Sequence, residues 1–191
     1  MNPLIYKLSV KNGLIVGGIS AVLSIVFYLI NPMLQYTNLV VPILSFVIVI
    51  VLLVILGIDV RKQTGGFWNF GQAFLSLIIM SAIIIFISLL VNFVIIKFVD
   101  PNLPTKINDV MADVTSQRLE KMGMDQDQID KSTKMFTDGE FIAKLQPTFV
   151  NELVSFGWAL LMYAVIDLII AACIKKKPPM FAPVSDSEEL V

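Results

Sequence analysis

The chain has 191 residues, 57% of them apolar, with a mean hydropathy of +0.83 and a formal net charge of −1. Ordinary soluble domains hold roughly 45–50% apolar residues, so a single membrane-embedded domain is indicated and a large soluble enzyme is excluded. The lack of histidine removes the usual general base and the commonest metal ligand, and the lone cysteine, Cys173, excludes an internal disulfide.

The charge pattern orders the chain. No charged residue occurs between Lys11 and Asp59, a run of 47 residues, and a second neutral run extends from Gln63 to Ile96. An apolar helix of about 20 residues crosses a hydrocarbon core about 30 Å thick. Four segments qualify: roughly 12–30, 39–58, 70–96 and 150–174. They lack the alternation of barrel strands, so each is predicted as a transmembrane helix. The fold class is all-α, a four-transmembrane-helix bundle with a helical extracytoplasmic insertion between spans three and four. The membrane domain covers 1–177 and includes that outer loop, 98–149. Residues 178–191, with Pro178-Pro179 and an acidic end, are predicted as a disordered cytoplasmic tail.

Span one ends at Asn31-Pro32 and has no small-x-small site before it, so it is predicted as an uncleaved span rather than a signal peptide. Gly13, Gly17 and Ala21 recur every four residues along it. Such a stripe lets helices approach closely in lipid, which suits helix packing against another span or against a second copy. A neutral turn, 31–38, leads to span two, where Pro42 occupies the first turn and leaves no bond unmade. Arg61 and Lys62 follow. Next comes Gly65-Gly66-Phe67-Trp68-Asn69-Phe70-Gly71-Gln72-Ala73-Phe74. Its glycines permit a tight turn, Asn69 is placed to cap span three, and Phe67, Trp68 and Phe70 suit an interfacial anchor in the headgroup zone. The glycine pair lacks the Gly-Lys-Ser/Thr of a phosphate loop.

The segment after span three holds ten acidic and six basic residues from Phe98 to Glu152. A helix is predicted over 105–122, stopped by Gly123, with Ile107, Val110, Met111, Val114 and Met122 on its apolar stripe. Asp125 with Gln128 resembles a capping box for a second helix to about Phe136. Asp138-Gly139 is a turn, and Glu140–Leu145 forms a third short piece. The bland alternative for this segment is a solvated hairpin; the functional one is a partner surface.

Asp167 is the ionisable residue well inside span four, about 12 Å from Lys175 at 1.5 Å per residue. It is a candidate intramembrane polar site, either pairing with Arg61, Lys62 or Lys11 to fix packing, or serving as a proton or cation site. Lys7 and Lys11, Arg61 and Lys62, and Lys175 to Lys177 fall on one side if four helices alternate. By the positive-inside bias, both termini are then cytoplasmic.

The aromatic turn, Phe98-Val-Asp100-Pro101-Asn102 and the basic close Lys175-Lys-Lys177 resemble a bacterial family of small four-span membrane proteins of unknown function. That family has a Gly-rich turn leading to Phe-Gly-x-Ala-Phe, and an Asp-Pro opening an external helical segment. The resemblance implies a multi-pass protein of the bacterial cytoplasmic (inner) membrane and carries no activity. The expected partners are the lipid bilayer, a protein at outer loop 98–149, or a further copy in a homo-oligomer; nucleic acid is not expected. No cofactor, metal or catalytic residue is expected, and the chain is read as a non-enzyme. The function that fits is a scaffold, sensor or assembly partner acting through the outer acidic loop. The alternative is an oligomeric transporter or channel component using Asp167.

Overall fold

Hydrocarbon offers no partner for a free backbone N–H or C=O, so each long apolar run closes its own hydrogen bonds as a helix. The computed structural model describes residues 3–176. Helices α1 (Pro3–Ile30), α3 (Val40–Gln63), α4 (Phe70–Val94) and α8 (Phe149–Ile174) are long and apolar enough to span a bilayer. The last turn of α4 widens into a π-helix over Ile95–Val99. Between the spans lie α2 (Leu34–Thr37), α5 (Leu103–Lys121), α6 (Gln126–Thr137) and α7 (Glu140–Leu145). Among the described residues no strand forms, and an isolated antiparallel bridge joins Trp68 to Lys176. The fold is an all-α bundle, as the apolar runs require.

Helix α4 is the hub. It packs on α1 along one side and α8 along the other, while α3 touches all three. The core is built from Val16, Leu53, Val60, Leu77, Met80, Ala171 and Ile174, all nearly inaccessible. The opposite helix faces carry Leu29, Phe46, Phe86, Trp158 and Leu161 at 41–75% exposure, which in water would be a large apolar liability and in lipid is ordinary contact. Because lipid tails are as apolar as leucine, close packing must hold the helices together. Gly13 and Gly17 supply it. A Cβ on Gly13 would lie 3.1 Å from the Met80 Cα, and one on Gly17 would lie 2.5 Å from Ile87 Cδ1. The small-residue stripe of α1 therefore meets α4 of the same chain.

Helix α1 starts nine residues before the predicted span. Hydropathy marks the part that lipid bathes, whereas the helix continues through Lys7 and Lys11, burying Ile5, Leu8, Ser9 and Asn12 on its inner face. The neutral turn also contains α2, too short to leave a periodic signal. The predicted tail, 178–191, lies outside the described residues.

The segment after α4 folds as a cap of three helices. Gly123 and Gly139 adopt φ of +78° and +76°, a region that favours glycine, and so break α5 from α6 and α6 from α7. Asp125 caps α6 by accepting from Gln128 N at 2.9 Å. Ile107, Ile129 and Phe136 are buried, the Phe136 and Phe141 rings meet edge to face at 4.9 Å, and Asn108 donates to the Phe136 carbonyl at 3.3 Å. The cap is tied down through a second apolar cluster. Ile96, Leu103 and Ile107 pack there with Tyr28, Met33 and Tyr36 from the end of α1 and the α2 turn.

Candidate functional site

At the basic end, the Gly-rich turn grips the end of α8. The last four carbonyls of a helix lack intrahelical partners. One of them, Ile174 O, accepts from Arg61 Nη1 at 2.6 Å and from Trp68 Nε1 at 3.1 Å. Trp68 and Lys176 exchange backbone hydrogen bonds at 3.0 and 3.2 Å. The sequence places Trp68 in the headgroup zone with Phe67 and Phe70, and the structure separates them. Phe67 and Phe70 stay exposed, whereas Trp68 is 2% exposed and joins the core. The reason is the indole N–H: buried, it needs an acceptor, and the free carbonyl of α8 provides one. Lys176 stands 5.5 Å over the Phe67 ring. Asn69 and Gln72 form the reciprocal capping box that starts α4.

Asp167 is completely buried between α8 and α4, and the expected ion pair with Arg61, Lys62 or Lys11 is not formed. Arg61 is committed to Ile174 O, seven residues beyond Asp167, which is about 10 Å along the helix. Lys11 and Lys62 are exposed. Ser81 of α4 is near enough to act on the carboxylate, yet neither Ser81 Oγ nor either Asp167 oxygen completes a hydrogen bond. Elsewhere on α4, Ser76 meets Ser9 of α1 oxygen to oxygen at 2.7 Å, and Asn12 reaches the Leu56 carbonyl at 3.3 Å. Polar groups thus run through the core, paired at Ser9, Ser76 and Asn12 and without a hydrogen-bond partner at Ser20 Oγ, Arg61 Nε, Ser81 Oγ and the Asp167 carboxylate.

The cap carries the large polar surface. Asp109, Asp113, Glu120, Asp125, Asp127, Asp130, Asp138 and Glu140 are all exposed. Two ion pairs hold it locally: Lys106 with Asp100 at 2.6 Å and Lys134 with Asp138 at 3.9 Å. Met122, expected on the apolar stripe of α5, is instead 72% exposed at the α5–α6 corner, because the cluster that buries α5 lies at its other end around Leu103 and Ile107. In the α2 turn, which packs near Leu103 and Ile107, burial raises the Tyr36 hydroxyl above its ordinary pKa of 10.0, opposed by a smaller lowering from the Gln35 side chain.

Sequence reasoning missed two features. The grip on Ile174 joins residues 106 and 113 positions apart, and no local pattern encodes such a distance. The other is Glu152, whose Oε2 is buried without a hydrogen-bond partner in a cleft between α4 and α8. Among the described residues no cluster of metal-ligating side chains occurs.

A family model described as Protein of unknown function (DUF4199) matches residues 11–176. No curated protein and no solved structure matches the chain.

Proposed function

The chain belongs to the DUF4199 family of proteins of unknown function, and from that premise we propose a non-enzymatic scaffold, sensor or assembly partner acting through its cap. One observation carries the proposal. The exposed surface of the four spans is apolar and suited to lipid, while α5–α7 form a folded cap, packed onto the span ends, whose exposed surface is charged with more acidic than basic side chains. A segment that served only as a linker would not need buried Ile107, Ile129 and Phe136 or the Asn108 bond to hold it in shape. Charged groups displayed on a preformed surface steer association and select partners more than they add affinity.

In this reading the basic end faces the cytoplasm of a bacterial inner membrane and the cap faces outward. Lys7, Lys11, Arg61, Lys62, Lys175 and Lys176 lie at one end and support that orientation. Crosslinked pulldown from native membranes tests the cap. A partner retained by the native chain should be lost when Asp127, Asp130 and Asp138 are changed together to Asn. An identical set of captured proteins with this variant and with deletion of 125–136 would refute it.

A second reading rests on Asp167 and Ser81, buried and unsatisfied together. Intramembrane carboxylates commonly mark proton or ion paths. It requires flux in reconstituted vesicles that disappears in Asp167→Asn; vesicles without flux exclude it.

A further inference from the structure

The cap-end halves of α4 and α8 do not close on each other. Between them lies a cleft of 390 Å³ walled by Phe86, Leu89, Leu90 and Phe93 of α4 and by Phe149, Leu153 and Phe156 of α8. Its volume falls within the range of about 300–1,000 Å³ common to small-ligand sites. Every lining residue is apolar except Glu152. The Glu152 Oε2 is closed in by the wall without a hydrogen-bond partner, which leaves the other oxygen of the half-buried carboxylate as the one open to an incoming donor. Lys106 and Lys134 pair with Asp100 and Asp138, and neither reaches this carboxylate.

An acidic group within hydrocarbon is costly unless something satisfies it. Here the wall supplies nothing. The mouth of the cleft opens sideways, where Phe86, Phe149 and Leu153 are 59–81% exposed on lipid-facing surfaces. An occupant arriving from that side is an amphiphile: it fills an apolar slot and brings one donor to a carboxylate. Glu152 sits in the first turn of α8, at the cap end of the span, where headgroups rather than acyl chains border the helix. A carboxylate accepts and cannot donate, so the complementary head carries N–H and positive charge.

We propose that this cleft binds an aminophospholipid, with an acyl chain between α4 and α8 and the primary ammonium of the headgroup donating to Glu152. A choline headgroup has the same charge and no N–H, so it fills the slot without satisfying the carboxylate.

The test titrates the purified, delipidated full chain with phosphatidylethanolamine or phosphatidylcholine of matched acyl chains and counts bound lipid by native mass spectrometry. Phosphatidylethanolamine should be retained about tenfold more tightly, the scale of one hydrogen bond to a charged group. Glu152→Gln should erase the preference while leaving binding of the choline lipid, and Leu89→Trp, which fills the slot, should reduce both. A headgroup series with one, two and three N-methyl groups probes the native chain without any substitution, and retention should drop at the last N–H. Equal retention across that series would overturn the proposal. So would a preference that survives Glu152→Gln, or binding of dodecylammonium without binding of phosphatidylethanolamine, which would indicate a single-chain amine rather than a phospholipid as ligand. Disulfide dimers formed efficiently through Phe149→Cys in a Cys173→Ala background would mean that a second copy covers the cleft, and would overturn it as well.

Discussion

Replacing Trp68 measures how much of the bundle depends on the grip at the end of α8. Its ring is 2% exposed and packs in the same cluster as Val60, Ala73 and Ile174, while its indole N–H donates to Ile174 O at 3.1 Å. Trp68→Phe removes the N–H and keeps most of the ring. One neutral hydrogen bond contributes about 1 kcal/mol, and Arg61 Nη1 still satisfies the carbonyl from 2.6 Å. The cost should therefore stay near ~1 kcal/mol. Trp68→Ala removes the ring as well and leaves a cavity, for which large-to-small aromatic changes cost about 3–5 kcal/mol. For chains of this size each kcal/mol moves the melting temperature by about 2–4 °C. In detergent, Trp68→Phe should thus lower it by a few degrees and Trp68→Ala by about 6–20 °C. Arg61→Met alone should cost about 1.5–3 kcal/mol, the range for a charge-assisted bond. The double variant Arg61→Met with Trp68→Phe should cost more than the sum of the two, because only then is the carbonyl left without either donor. Scanning fluorimetry reads all four proteins. If Trp68→Ala melts within a degree of the native chain, Trp68 is not a core residue and the closure between the Gly-rich turn and α8 is wrong.

Three further substitutions probe other parts. Gly13→Ala places a Cβ 3.1 Å from the Met80 backbone, which cannot swing aside, and should destabilise the α1–α4 contact by about 1–3 kcal/mol; an unchanged melting curve would contradict that contact. Asp167→Leu replaces an unsatisfied carboxylate with an apolar side chain favoured by roughly 3 kcal/mol at a span centre, so stability should hold or rise. A loss of about 3 kcal/mol instead would reveal a paired charge, as breaking a buried ion pair costs that much. Phe136→Ala should open the cap while the spans remain intact, seen as faster protease cleavage between 103 and 145 at unchanged bundle melting; a bundle that unfolds with the cap would show that the two are one cooperative unit.

The parts of the fold that were legible in the sequence are those set by local solvent and local chain geometry. Charge-free runs located the first three spans and a long apolar run, broken by Glu152 and Asp167, located the fourth, because a hydrocarbon environment acts on every residue of a segment. Gly123, Asp125 and Gly139 located the cap helices because capping and positive φ are decided within a few residues. Boundaries were less legible. The start of α1 is polar enough to look like a flank, and its helix persists through packing of Ile5 and Leu8. Partners between distant segments were not legible at all. Charge type made Arg61 a natural mate for Asp167, but register along α8 puts the guanidinium at Ile174. Trp68 has the composition of an anchor and the neighbours of a core residue. Glu152 gave no signal, since a carboxylate at the first turn of a helix is ordinary until the opposite wall of Phe86 to Phe93 is known.

The orientation on which the proposed function depends is open to one direct measurement. Single cysteines replace Met122, 72% exposed on the cap, or Lys62, exposed at the basic end, in a Cys173→Ala background. Intact cells are treated with a membrane-impermeant maleimide. Met122→Cys should label in intact cells, and Lys62→Cys only after the membrane is opened. The reverse pattern would place the acidic cap in the cytoplasm and contradict its role as an outward-facing contact surface.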